Sequence, residues 1–78
     1  MPAERLANHL KVARAEKHLT QEALAGLTGT TRKSINAIEM QRMVPSTLLA
    51  LKIARALNTS VEHLFSLAAD DWHVERRR

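Results

Sequence analysis

The chain is 78 residues long, enough for one domain and close to the size below which a hydrophobic core needs support from disulfides or metal. It has no cysteine, which excludes a disulfide framework and thiolate chemistry and fits a reducing, cytoplasmic setting. The formal charge is +4, and the excess lies in residues 1–67, where nine Lys and Arg meet five Asp and Glu, whereas residues 68–78 carry three of each. Between residues 31 and 55 the bases Arg32, Lys33, Arg42, Lys52 and Arg55 face only one acid, Glu39. A basic face on a small domain points to nucleic acid, although many basic domains bind none. Apolar runs such as residues 47–51 are too short to span a bilayer, and residues 1–5 lack the apolar core of a signal peptide. A soluble, cytoplasmic protein without a membrane partner is expected.

In chain order the sequence predicts five short helices and a tail. Leu6, Leu10 and Ala13 recur at helical spacing and give a first helix over residues 3–17. Thr20 is a good N-cap, with Gln21 and Glu22 behind it, and opens a second helix that ends near Thr28. Gly29 then supplies the left-handed backbone of a sharp exit. Thr31 caps a third helix over roughly residues 31–42, so only about three residues join the two. Pro45 and Ser46 stop what precedes and cap a fourth helix, residues 47–57, which Asn58 closes. Ser60 caps a fifth, residues 61–67. No segment alternates with a period of two, so no sheet is expected in the core. Residues 1–67 read as the domain and residues 68–78 as a tail, either a dimer contact or disordered.

The third helix carries the chemistry. At about 100° per residue, Ile35 and Ile38 share one side with Thr31, and Glu39 lies at its edge. Lys33, Asn36, Ala37 and Met40 lie opposite, with Arg32 on the shoulder. That outer face suits a DNA groove: Arg and Lys reach guanine O6 and N7, Asn pairs with adenine, and Ala37 admits close approach or touches a thymine methyl. Alone, the pattern is better explained as an ordinary amphipathic helix with a solvated face. Ala25, Gly29, Ile35 and Ile38, at their fixed offsets, favour the groove: Ala25 permits close helix packing, Gly29 makes the turn, and the isoleucines bury the third helix. With the caps at Thr20 and Thr31 they specify two helices crossing steeply over a tight turn. Arg14 and Glu39 fall on the inner edges of the first and third helices, and charges so placed need a partner.

Three stretches, Leu19-Thr20-Gln21-Glu22-Ala23-Leu24-Ala25, Gly29-Thr30-Thr31-Arg32 and Ile35-Asn36-Ala37-Ile38-Glu39, resemble the Xre family of bacterial and phage regulators, which includes the lambda-type repressors and Cro. The likeness continues through Pro45-Ser46, residues 49–58 and residues 60–65, and covers roughly residues 8–66. It implies an all-α fold: a compact five-helix, lambda-repressor-like DNA-binding domain with a helix-turn-helix and a short C-terminal tail. By the same resemblance, Gln21 contacts a phosphate and buttresses base-contacting side chains. Thr30, Thr31, Arg32, Lys33 and Ala37 meet phosphate or base edges, with Asn36 a neighbouring candidate, and Arg14 and Glu39 form a structural salt bridge. The family usually follows the glutamate with Asn-Gly, whose Asn grips a phosphate and whose Gly ends the third helix. Here Met40-Gln41 stands there, so the helix is expected to run longer or end differently, with Arg42 replacing part of the lost contact.

Other readings are weaker. His9, His18, His63 and His73 show no ligand spacing, so no metal or cofactor is expected. The serines serve as caps or surface, and a chain this short has little room for a catalytic pocket, so no enzyme is expected. Leu48 and Leu51 line an outer face of the fourth helix, Met40, Met43 and Val44 are apolar near a surface loop, and the tail adds Trp72 and Val74. Scattered surface apolar residues are ordinary, but these suggest a homodimer with Leu48, Leu51, Trp72 and Val74 at its interface. The expectation is a sequence-specific DNA-binding regulator, a repressor acting as a dimer on a near-palindromic double-stranded DNA operator. Three alternatives stay open: an antitoxin that neutralises a toxin protein and autoregulates its promoter, a protein-interaction module without DNA binding, and a controller of a restriction–modification system.

Overall fold

The computed structural model describes residues 6–67. Within them the chain runs β1 (Leu6–Asn8), α1 (Leu10–Glu16), α2 (Gln21–Thr28), α3 (Arg32–Glu39), α4 (Thr47–Ala56), α5 (Val61–Leu64) and β2 (Phe65–Leu67). Four helices begin at a hydroxyl cap. Thr20 Oγ1 accepts from the Ala23 N–H at 2.9 Å, Thr31 Oγ1 from Ser34 at 3.1 Å, Ser46 Oγ from Leu49 at 3.1 Å and Ser60 Oγ from His63 at 3.0 Å. Each bond satisfies one first-turn donor that the helix leaves without a partner, at a value of about 1 kcal/mol.

The first and fifth helices are shorter than the sequence suggests, because their outer ends pair as strands. β1 and β2 are antiparallel, with Leu6 opposite Leu67, Ala7 opposite Ser66 and Asn8 opposite Phe65. The helical spacing of Leu6, Leu10 and Ala13 is real, but only Leu10 and Ala13 use it. Asn8 sets the boundary: its Oδ1 accepts from the Leu10 N–H at 3.0 Å and its Nδ2 donates to the Ile38 carbonyl at 3.0 Å. The His9 N–H goes to the Leu64 carbonyl at 2.8 Å, which ties the start of α1 to the end of α5. Three-residue strands are too short to show alternation, and their partners lie far apart in sequence. The sheet sits at the margin of a helical fold. The tail, residues 68–78, and the part of the expected first helix before Leu6 lie outside the described residues.

The core is built from one stripe of each helix. Leu10, Leu24, Ile35, Ile38, Ile53, Leu57 and Leu64 are fully buried, with Ala13, Ala25, Ala50, Ala54 and Phe65 packed among them. Alanines at 25, 50 and 54 let helix backbones approach, which a chain this short needs to fill its interior.

Helix exits explain the compact turns. His18, Gly29, Gln41 and Asn58 all have positive φ, at 59°, 76°, 62° and 56°. After α3, the Gln41 N–H donates to the Ile38 carbonyl at 3.0 Å and the Arg42 N–H to the Ala37 carbonyl at 2.8 Å, the paired bonds of a Schellman exit. So α3 stops at Glu39 and does not reach residue 42. The left-handed exit is kept, but Gln41 occupies the position where glycine would cost nothing. Gln41 recovers part of that cost by donating from Nε2 to the Leu6 carbonyl at 3.3 Å.

Candidate nucleic-acid interface

α3 packs chiefly on α2, and the link between them is Gly29, Thr30 and Thr31. Gly29 closes α2, and the Thr30 N–H bonds back to the Ala25 carbonyl at 3.0 Å. A Cβ at Gly29 would meet no atom within 4 Å, so glycine is required there for its backbone and not for space. Ala25 is 3% exposed and buried within the core.

With Ile35 and Ile38 at 0% and 1% exposure, the opposite face of α3 is fixed toward solvent. Arg32 and Lys33 are exposed, and Asn36 and Ala37 are half-buried on the same side. Thr31 is exposed, Thr30 is half-buried at the turn, and Arg42 is exposed just beyond the helix. The Thr31 hydroxyl also donates to Ser34 Oγ at 3.1 Å, so it is held within the cap. The first-turn N–H groups of α3 emerge beside Arg32 and Lys33, adding partial positive charge to that end. The Met40 side chain, 55% exposed, has no donor to offer where the family's asparagine would grip a phosphate.

Behind this face lies a polar network. Arg14 on α1 donates from Nε to Glu39 Oε2 at 2.7 Å and from Nη2 to Oε1 at 3.4 Å, and its Nη1 donates to the Leu19 carbonyl at 2.7 Å. The Arg14 and Glu39 side chains are 14% and 6% exposed, so the pair is largely out of water. Glu39 in turn takes a hydrogen bond from Gln21 Nε2 at 3.0 Å, and the same nitrogen donates to Asn36 Oδ1 at 3.2 Å. α1, α2 and α3 are therefore locked together by side chains that converge beneath the outward face. Gln21 is the hub of this network. Asn8, which holds the Ile38 carbonyl, and the Leu19 carbonyl, which holds Arg14, were not singled out in the sequence. An Asn two residues before a helix is the one local signal that could have pointed to the first.

The remaining candidates fall elsewhere. Leu48 and Leu51 are exposed on α4, at 62% and 54%. Trp72 and Val74 lie outside the described residues. The His9 and His63 rings come within 6.5 Å, centroid to centroid, which their sequence separation hides. Among the described residues no three metal-ligating side chains gather, and no helix is long and apolar enough to cross a membrane.

A helix-turn-helix family model matches residues 10–64. The chain is 39% identical to the uncharacterized HTH-type transcriptional regulator YgzD of Bacillus subtilis, over 85% of this chain and all of that one. It is 41% identical to the HTH-type regulator MJ0272 of Methanocaldococcus jannaschii, with the same coverage. The crystal structure of the restriction–modification controller protein C.AhdI from Aeromonas hydrophila superposes with a TM-score of 0.66 at 33% identity, over 69% of this chain and 82% of that one. These relatives are regulators and not enzymes. The outward face of α3, the turn at Gly29 and these likenesses together place the chain in the Xre, lambda-repressor-like helix-turn-helix family of DNA-binding transcriptional regulators.

Proposed function

We propose that this regulator is a repressor that binds a near-palindromic operator as a homodimer, with α3 of each copy in the major groove. The observation that carries the reading is the basic, solvent-facing side of α3, held outward by the fully buried Ile35 and Ile38. Arg32, Lys33 and Asn36 read base edges, and Ala37 lets the helix backbone come close. Thr30, Thr31, Arg42 and the amide end of α3 bind phosphates, which set affinity and register but carry no sequence information. A binding selection from random DNA tests this directly. Wild-type protein is expected to recover a two-fold symmetric site, and Arg32→Ala to lose the preference at one position of each half. Recovery of no preferred site refutes the proposal.

The dimer rests on an apolar surface. Leu51 lines an open groove of about 410 Å³ with Leu6, Pro45, Val61, Phe65 and Leu67. Of the lining residues Leu51 and Leu67 are exposed, at 54% and 48%, and Leu48, also on α4, is exposed at 62%. To read a two-fold operator, an isologous contact through this face has to set two α3 helices on successive major-groove faces, about 34 Å apart. The tail, residues 68–78 with Trp72 and Val74, would add to it as a segment distinct from the domain. Sedimentation at tens of micromolar should show a dimer that Leu48→Asp or Leu51→Asp converts to monomer without loss of helicity. The same surface favours one second reading, an antitoxin whose apolar face holds a toxin. Co-purification of a small partner from the native host, in place of a homodimer, would support it.

A further inference from the structure

We infer that Glu39, acting through Gln21, fixes which atom of Asn36 faces the DNA, and so makes position 36 a hydrogen-bond donor that selects guanine over adenine. The inference rests on the major-groove reading of α3 given above. It follows from a chain of partners in which each identity is forced by the one before. Arg14 holds both Glu39 oxygens, at 2.7 and 3.4 Å. An ionised carboxylate only accepts, so the Gln21 atom 3.0 Å from Glu39 Oε1 must be the amide nitrogen. That nitrogen also lies 3.2 Å from Asn36, so the facing Asn36 atom must be Oδ1. Nδ2 of Asn36 is then the atom turned away from the network.

Among the described residues Asn36 Nδ2 donates no hydrogen bond and Gln21 Oε1 accepts none, and neither is a buried orphan, so both reach solvent. Two consequences differ from the sequence expectations, one from the family resemblance and one from the reading of the outward face. Both Gln21 amide hydrogens are spent on Glu39 and Asn36, which leaves that side chain only an acceptor. A phosphate is itself an acceptor, so Gln21 is a positioning residue here and not a phosphate contact. Asn36 cannot readily give adenine its usual two-bond pairing, because Oδ1 is engaged. A lone outward donor is best met by guanine, which offers N7 and O6 side by side, whereas adenine places its own N6 donor next to N7.

The test reverses the polarity without changing the set of groups. In the double variant Gln21→Glu/Glu39→Gln, Arg14 holds the oxygen of residue 39, its amide nitrogen donates to residue 21, and that carboxylate requires Nδ2 of Asn36. Oδ1 then faces the groove. Random-DNA selection at one fixed salt concentration should show wild type preferring guanine at one position per half-site, and the double variant preferring adenine or cytosine. The change in preference should be about fivefold or more, the value of one well-placed hydrogen bond. Circular dichroism should show the same helicity for both. A folded double variant that keeps the guanine preference overturns the inference, since a merely structural network would leave the base unchanged. Side-chain amide NMR of DNA-free protein gives the second readout. Both Gln21 amide protons should exchange slowly with water, and Glu39→Gln should abolish that protection; fast exchange in wild type overturns the relay. Slow exchange in a protein that selects no DNA site would instead leave the relay standing, while overturning the regulator reading and the base preference with it.

Discussion

Replacing Arg14 by methionine should be the most damaging conservative change outside the apolar core. The substitution keeps an unbranched chain but removes the donors that hold Glu39 and the Leu19 carbonyl. Among the described residues the Glu39 carboxylate, with its side chain 6% exposed, then keeps only the Gln21 amide as a partner. Removing one member of a buried pair costs roughly 3–5 kcal/mol, and the residual exposure of Arg14 places this case near the lower end, ~3 kcal/mol. A chain of this size has a total stability of roughly 4–12 kcal/mol. The melting temperature should therefore fall by roughly 12–24 °C. The double variant Arg14→Met/Glu39→Met buries apolar groups in place of both charges and should recover most of the loss, to within about 2 kcal/mol of wild type. Urea and thermal denaturation of wild type, both single variants and the double variant give the coupling energy. Single variants that each cost under ~1 kcal/mol and simply add in the double variant would refute the view that this pair is a desolvated, mutually dependent unit.

Gln41→Gly should stabilise the domain by about 0.5–1 kcal/mol, because the left-handed exit of α3 then carries no Cβ penalty; chemical denaturation with an unchanged m-value would register it. Gly29→Ala should cost about 1–2 kcal/mol and no more, since the added methyl meets no neighbour and only the backbone is strained. Arg32→Ala should weaken binding to the selected operator by roughly 1–3 kcal/mol and relax the preference at one base, as measured by fluorescence anisotropy against single-substituted sites. Affinity for DNA should drop steeply with added salt, log K falling linearly with log salt concentration; a flat response would remove phosphate contacts from the account.

The caps at Thr20, Thr31, Ser46 and Ser60 were legible because each is a local hydroxyl signal with its partner three residues on. The inner stripe of α3 was legible because its 3.6-residue period is strong and its isoleucines are fully buried. Arg14 and Glu39 could be paired because both lie on inner edges, where a lone charge is costly. The strands were not legible: three residues at either end of the domain pair with each other, and nothing local to Leu6 names Leu67 as its partner. The end of α3 was misjudged for a related reason. Without glycine at position 41 the sequence gives no stop signal, yet the Schellman bonds and the hold of Gln41 on Leu6 impose one. The Gln21 hub needed the crossing of α2 and α3 in three dimensions before its two acceptors could be identified.

The claim on which the account depends is that the outward side of α3 meets the floor of the major groove. Intermolecular NOEs between labelled protein and a selected duplex measure this. Side-chain protons of Arg32, Lys33, Asn36 and Ala37 should give cross-peaks to cytosine H5 and thymine methyl protons, which line the major groove. Cross-peaks from these residues to adenine H2 or sugar H1′ protons instead, or contacts confined to α4 and α5, would contradict it.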